Sequence, residues 1–178
     1  MNKTLQLSLF VLFTIALSFL YYEHYSSQRT VYIESGRLIN GYQGMIDARK
    51  VYQQKANQWK ANVDTLANEV QNSIKAYEKE STTMTKKERE LSRELIQSKQ
   101  KQLADYQRAI QEKAGQEDGQ MTQQVLEEVN AFIKQYGEKH NYRIIFAATE
   151  YGNIAYAEDG LDITDEVLEG LNKQYTGQ

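Results

Sequence analysis

The sequence predicts an α+β protein, mostly α, in which a long antiparallel helical hairpin belongs to a small β/α base. Three observations lead there. Proline is absent from all 178 residues, where ordinary usage of ~5% would supply about nine. Turn-rich folds draw on proline, so long uninterrupted helices fit better. Apolar residues recur in thin helical stripes on either side of a hydroxyl-rich break at 81–85. Short β-branched and aromatic runs, the mark of strands, flank those stripes at 30–35 and 142–157.

Composition narrows the function classes. With 21 Lys+Arg against 24 Asp+Glu the formal net charge is −3, and mean hydropathy is −0.69. Such mild acidity argues against a nucleic-acid binder, which carries a basic footprint. No cysteine is present. That excludes a disulfide framework, a thiolate zinc site, a cysteine nucleophile and a lipid anchor on cysteine.

Residues 1–29 form the first segment. After Lys3 the run Leu5–Leu20 is apolar except for Gln6, Ser8, Thr14 and Ser18. One basic residue before an apolar run reads as an export signal. Cleavage needs small residues, and Ala16-Leu17-Ser18 is an imperfect match. Retention as an anchor needs about 17–25 apolar residues, and Leu5–Tyr22 supplies 18. Tyr21, Tyr22 and Tyr25 resemble an interfacial aromatic belt. Length and belt favour a membrane anchor over a cleaved signal. Either way the rest of the chain lies outside the cytoplasm.

Thr30–Ser35 (TVYIES) reads as a strand ending before Gly36. From about Gly41 to Glu80 the pattern is helical. Met45, Tyr52, Trp59 and Leu66 fall seven apart, and Val63, Val70 and Tyr77 supply a second row. This is a heptad seam with polar flanks, suited to one partner helix. Ser81–Thr85 interrupts it. Thr85 with Glu88 then makes a capping box, so the helix restarts in a new direction. The short connection favours an antiparallel hairpin. Leu91, Leu95, Leu103, Tyr106 and Ile110 give the returning stripe. The predicted seam is therefore Trp59, Val63, Leu66, Val70, Leu91, Leu95 and Leu103. Gly115 and Gly119 each weaken a helix by ~1 kcal/mol relative to Ala, which predicts a kink or soft joint. Val125, Val129, Phe132, Ile133 and Tyr136 form a denser face that enters a core. Asn141 is suited to a left-handed cap.

Tyr142–Glu150 is apolar on both faces, as for a strand covered on both sides. Gly152-Asn153 signals a two-residue hairpin, with Ile154–Ala157 as partner strand. A last helix starts at Thr164 as N-cap, with Asp165 and Glu166 complementing its dipole. Its apolar face is Val167, Leu168, Leu171 and Tyr175.

A 40-residue helix is about 60 Å long, so the hairpin at 41–140 must project beyond its base, made of 30–40 and 141–178. Three short strands and one helix bury too little to stand alone. With no disulfide or metal to help, oligomerisation is the remaining support. The base is predicted to be an assembly interface through Val31, Ile33, Ile144, Phe146, Ile154 and Tyr156.

A strand, a long helical hairpin and a closing β-hairpin with a helix resemble the Skp/OmpH family of periplasmic chaperones. The carrying residues are Thr30–Ile39 and Asn141–Asn172, above all Asp162-Ile163-Thr164-Asp165-Glu166-Val167-Leu168. The resemblance implies a homotrimer whose pooled strands form a small barrel. Its arms would enclose a jellyfish-like cavity for unfolded outer-membrane or envelope proteins, without ATP or any cofactor. Family members are strongly basic, whereas the charge here is divided. Residues 75–101 hold eight Lys/Arg against five Glu, and residues 141–178 hold two against seven acids. The hairpin tip, with Lys86, Lys87, Arg89 and Arg93, is the basic end and a candidate client contact. A solvated coiled-coil face is the preferred explanation of most of these charges.

The sequence gives an enzyme no constellation. His24 and His140 lack companions at ligand spacing, Asp159, Asp162, Asp165 and Glu166 do not match a calcium loop, and phosphate-loop, GxSxG and HExxH motifs are absent. Two functions of different class remain. One is a holdase for unfolded envelope proteins, and the other a membrane-anchored coiled-coil scaffold of an envelope machine.

Overall fold

The computed structural model describes residues 3–26, 30–149 and 152–177. In chain order the elements are α1 (Lys3–Ser26), β1 (Thr30–Glu34), α2 (Ser35–Gly41), α3 (Gln43–Glu80), α4 (Lys86–His140), β2 (Ile144–Ala148) and α5 (Thr164–Thr176). They divide into two compact units, 1–46 with 125–178, and 47–124.

The apolar N-terminal run is helical as α1, and its side chains from Phe10 to Tyr22 are exposed. Among the described residues no helix is long and apolar enough to cross a membrane. Part of the expected span and belt, Leu5–Leu9 and Tyr25, and also His24, lies outside the residues whose side chains are described.

In the first unit, β1 alternates as a half-buried strand should. Val31 and Ile33 point inward and Thr30 and Glu34 outward. It pairs in parallel with β2, Val31 opposite Ile145 and Ile33 opposite Ala147. A parallel pair needs a long crossover, and here the connection contains α2, α3 and α4. The other edge of β1 is also occupied. The Tyr32 N–H donates to Leu161 O at 2.9 Å, and the Ile163 N–H donates to Tyr32 O at 3.0 Å. Leu38 of α2 and Val167 and Leu171 of α5 are almost wholly buried, with Val125 and Val129 of α4.

Several expectations for this unit are corrected. The strand expected at Ile154–Ala157 does not form. Asn153 is the reason: its side-chain amide donates to Ala147 O at 2.7 Å, and its carbonyl accepts the Thr149 N–H at 2.9 Å. The turn residue thus takes the backbone groups at the end of β2 that a returning strand would need. Glu150, the end of the expected first strand, lies outside the described residues. Nor is β2 covered on both faces, since Ile144 and Phe146 are 49% and 48% exposed. Thr164 is the first residue of α5 rather than its N-cap. Asp162 does the capping instead, its carboxylate accepting the Thr164 N–H at 2.9 Å. Helix α2 has no counterpart in the sequence reading. Asn141 ends α4 in the left-handed conformation, φ 56°, as its residue type allows.

In the second unit, α3 and α4 form an antiparallel hairpin turning at Ser81–Thr85. The capping box is present. Glu88 accepts the Thr85 N–H at 2.7 Å and the Thr85 hydroxyl at 2.8 Å, and the Glu88 N–H donates to Thr85 Oγ1 at 3.3 Å. These bonds from Thr85 hold the Glu88 carboxyl below its ordinary range. Gly115 and Gly119, where the sequence predicts a kink or soft joint, lie within α4. Helix α4 runs unbroken through both, and open space surrounds each position.

Candidate functional site

The hairpin seam is built from one residue in every three or four. On α3 the less exposed positions at this spacing are Tyr52, Ala56, Trp59, Val63, Leu66, Val70, Ser73 and Tyr77. Their spacing alternates 4 and 3, the heptad pattern, with Ala67 and Ile74 half-buried beside it. On α4 the less exposed positions include Ser92, Ile96, Lys99, Leu103, Tyr106, Ile110, Ala114 and Glu117. Only Val70 is fully buried, at 8%. Leu91 and Leu95, expected in the seam, are 56% and 54% exposed. The seam runs one position later there. Counting back from Leu103 in heptad steps reaches Lys99, Ile96 and Ser92, whereas following the large apolar residues leads off the seam.

Polar contacts fasten the rest of it. Lys55 pairs with Glu117 at 2.5 Å and Lys99 with Glu69 at 3.0 Å. The hydrogen bond from Lys55 keeps the Glu117 carboxyl low. Asn62 donates to the Tyr106 hydroxyl at 3.0 Å. Tyr52 donates to Ala114 O at 3.3 Å and stands edge-on to Trp59. Lys113 lies over the Trp59 ring. At the tip, Lys86, Lys87 and Arg89 are exposed. Arg93 is drawn sideways, its Nε donating to the Tyr77 hydroxyl at 2.7 Å with the guanidinium 5.7 Å from the ring centre.

The first unit places its six predicted interface residues in two groups. Val31 and Ile33 are core, at 5% and 3% exposure. Ile144, Phe146 and the 83%-exposed Tyr156 are surface, and Ile154 is half-buried. Among the described residues no strand covers the outer edge of β2. Val31, Tyr32, Phe146, Ile154, Tyr156 and Leu161 help to line a groove of about 420 Å³.

Beside the sheet, Arg37 joins α2 to the α5 cap, 2.8 Å from Asp162, with Glu34 and Asp165 at 3.6 and 3.7 Å. The Thr164 hydroxyl accepts the Glu34 N–H at 2.9 Å and donates to Asp162. Burial pushes the Asp162 carboxyl up, but the Thr164 bonds and Arg37 outweigh it and hold it below its ordinary range. No sequence motif marked Arg37, since Asp162 and Asp165 lie 125 and more residues away. His140, considered for chemistry, stacks on Tyr136 at 4.1 Å and lies near Tyr142. Among the described residues no group of three or more His, Asp or Glu is placed to hold a metal ion.

A crystal structure from Caulobacter crescentus, described as an outer membrane chaperone (OmpH-like), shares the fold with a TM-score of 0.75. The match covers 83% of this chain and 85% of that one at 17% identity. At that identity the likeness concerns the fold alone. No curated protein matches the sequence. The family described as outer membrane protein (OmpH-like) matches residues 29–171, which span β1, the whole hairpin, β2 and most of α5, and the chain therefore belongs to the OmpH-like family.

Proposed function

We propose that the protein is a periplasmic chaperone, an ATP-independent holdase that shelters unfolded outer-membrane or envelope proteins between the arms of a homotrimer. The observation that carries this reading is the family match over residues 29–171. The hairpin fold shared with a protein described as an outer membrane chaperone agrees with it. The surface is of the right kind. Leu91, Leu95 and Val51 expose apolar area along thin helices, giving weak, repeated contacts that varied clients can share and leave.

Assembly is assigned to the base. Ile144 and Phe146 expose about half their area beside the open edge of β2, and a second copy would cover them. The exposed Lys86, Lys87 and Arg89 would speed capture by charge, an effect that salt screens over a Debye length of ~8 Å. Export is assigned to residues 1–29, as a cleaved signal or as a retained inner-membrane anchor. The mass of the mature protein tests it, and a species starting after Ser18 refutes retention.

The central test is whether residues 30–178 keep a urea-diluted β-barrel protein soluble without ATP. Protection of several unrelated unfolded barrels is the expected result. Protection of none, with stoichiometric docking to one folded partner, would replace the holdase by the scaffold.

A further inference from the structure

The first amide of α3 is capped from another helix. Tyr42 is the single non-helical residue between α2 and α3, at φ −70°, ψ 121°. Its hydroxyl is committed elsewhere, donating to Glu128 on α4 at 3.0 Å. The cap comes from 129 residues away. Asn172, on α5, accepts the Gln43 N–H at 2.8 Å through Oδ1, and its Nδ2 donates back to Gly41 O at 3.2 Å. One side chain thus satisfies the first amide of α3 and a late carbonyl of α2.

Two further contacts bind the same elbow to α5. Gly41 lies so close to Leu168 that a Cβ there would meet its Cδ2 at 2.6 Å. Tyr175 stands edge-on to Tyr42 with ring centres 5.6 Å apart. Tyr42 is itself buried, and a Cβ on Gly44 would strike its ring at 2.4 Å. The other end of α5 is pinned to the sheet through Thr164 and Asp162. The last helix of the chain therefore touches β1 with one end and the root of the hairpin with the other.

We propose that α5 is a strap that holds the α2–α3 elbow shut. Asn172 caps α3 in trans, and Tyr42, seated against Tyr175, ties the root of α3 to α4 through Glu128. Without the strap, the Gln43 amide loses its bond to Asn172 and a single extended residue links α3 to α2, so Tyr42 becomes a hinge. The root of the arm is then set only once the C-terminal helix has docked. Its consequence for client holding rests on the chaperone reading, but its structural test does not.

The test is backbone hydrogen exchange on the full-length assembled protein. Asn172→Leu keeps the size of the side chain and removes both hydrogen bonds. Exchange at 43–46 should rise roughly 5–30-fold, the effect of losing one cap, while amides of the seam near 96–110 stay unchanged. Tyr42→Phe keeps the ring and removes only the tie to Glu128. It should raise exchange at 125–131 severalfold and leave 43–46 nearly as protected as before. Unchanged exchange at 43–46 in Asn172→Leu overturns the strap. A uniform rise along both long helices also overturns it, because the contact would then serve general stability. Should Asn172→Leu not assemble, Tyr42→Phe decides, and no change at 125–131 ends the proposal. If both variants behave as expected in exchange but client release is not faster, the strap stands and only its consequence for client holding fails.

Discussion

The two compact units are stabilised by opposite means. In 1–46 with 125–178, strands 114 residues apart pair in register, and Leu38, Val167 and Thr164 are sealed to 1% exposure or less. Its bonds join distant parts of the chain, as with Glu34 to Thr164 and Gln43 to Asn172. In 47–124 the capping box acts within four residues and only Val70 is fully buried. A thin seam and helical hydrogen bonds carry the rest. The difference teaches where a substitution is felt: the first unit fails as a whole, and the second yields locally.

The largest effect should come from Val167→Asp, at 0% exposure. An unpaired buried charge costs several kcal/mol, so the first unit should unfold while much of the hairpin helicity survives. Circular dichroism melting would show one transition lost and one retained. A single cooperative loss of all helix would break the comparison.

Next comes the pair Ile144→Asp with Phe146→Asp. Both are about half exposed in the single chain and would be covered by a second copy, so light scattering should show assembly lost. A stable folded monomer of the unmodified protein would sink the trimer instead.

Acid provides a smaller, graded test. A carboxyl held low in the folded protein adds stability that is complete above its unfolded pKa of about 3.9 and lost as pH falls through the folded value. Asp162 is such a group. The melting temperature of the first unit should therefore fall below about pH 4, and Asp162→Asn should flatten that limb at the cost of a lower plateau. Identical acid limbs in both proteins would assign the sensitivity to other carboxylates.

The smallest effect should be Leu91→Ala with Leu95→Ala. Since both are exposed, stability should change by no more than about 0.5 kcal/mol per site, against the 2–5 kcal/mol of a buried leucine. A loss in the buried range would restore them to the seam.

Local signals were legible in the sequence and long-range ones were not. Thr85 and Glu88 form their box three residues apart, and Asn141 ends α4 where its tolerance of positive φ suggests. Trp59, Val63, Leu66 and Val70 lie on the α3 stripe at the predicted period. The period did not settle phase on α4, because Leu91 and Leu95 are large enough to mislead where Ser92 and Lys99 occupy the seam. At Gly152-Asn153 the hairpin signal was misleading for a related reason. The Asn153 side chain uses the backbone groups that a second strand needed.

By itself the sequence determined the long helices, their turn and the apolar period, because these depend on residues within a few positions of one another. Tertiary structure alone decided that β1 lies between β2 and Leu161–Ile163, that Asp162 rather than Thr164 caps α5, and that Asn172 caps α3. Each of those choices depends on a donor or acceptor left open in one segment and met by a partner more than a hundred residues away, or on a competition between neighbours for the same group. Chain spacing carries no trace of such partners. They exist only once the two ends of the chain have been brought together.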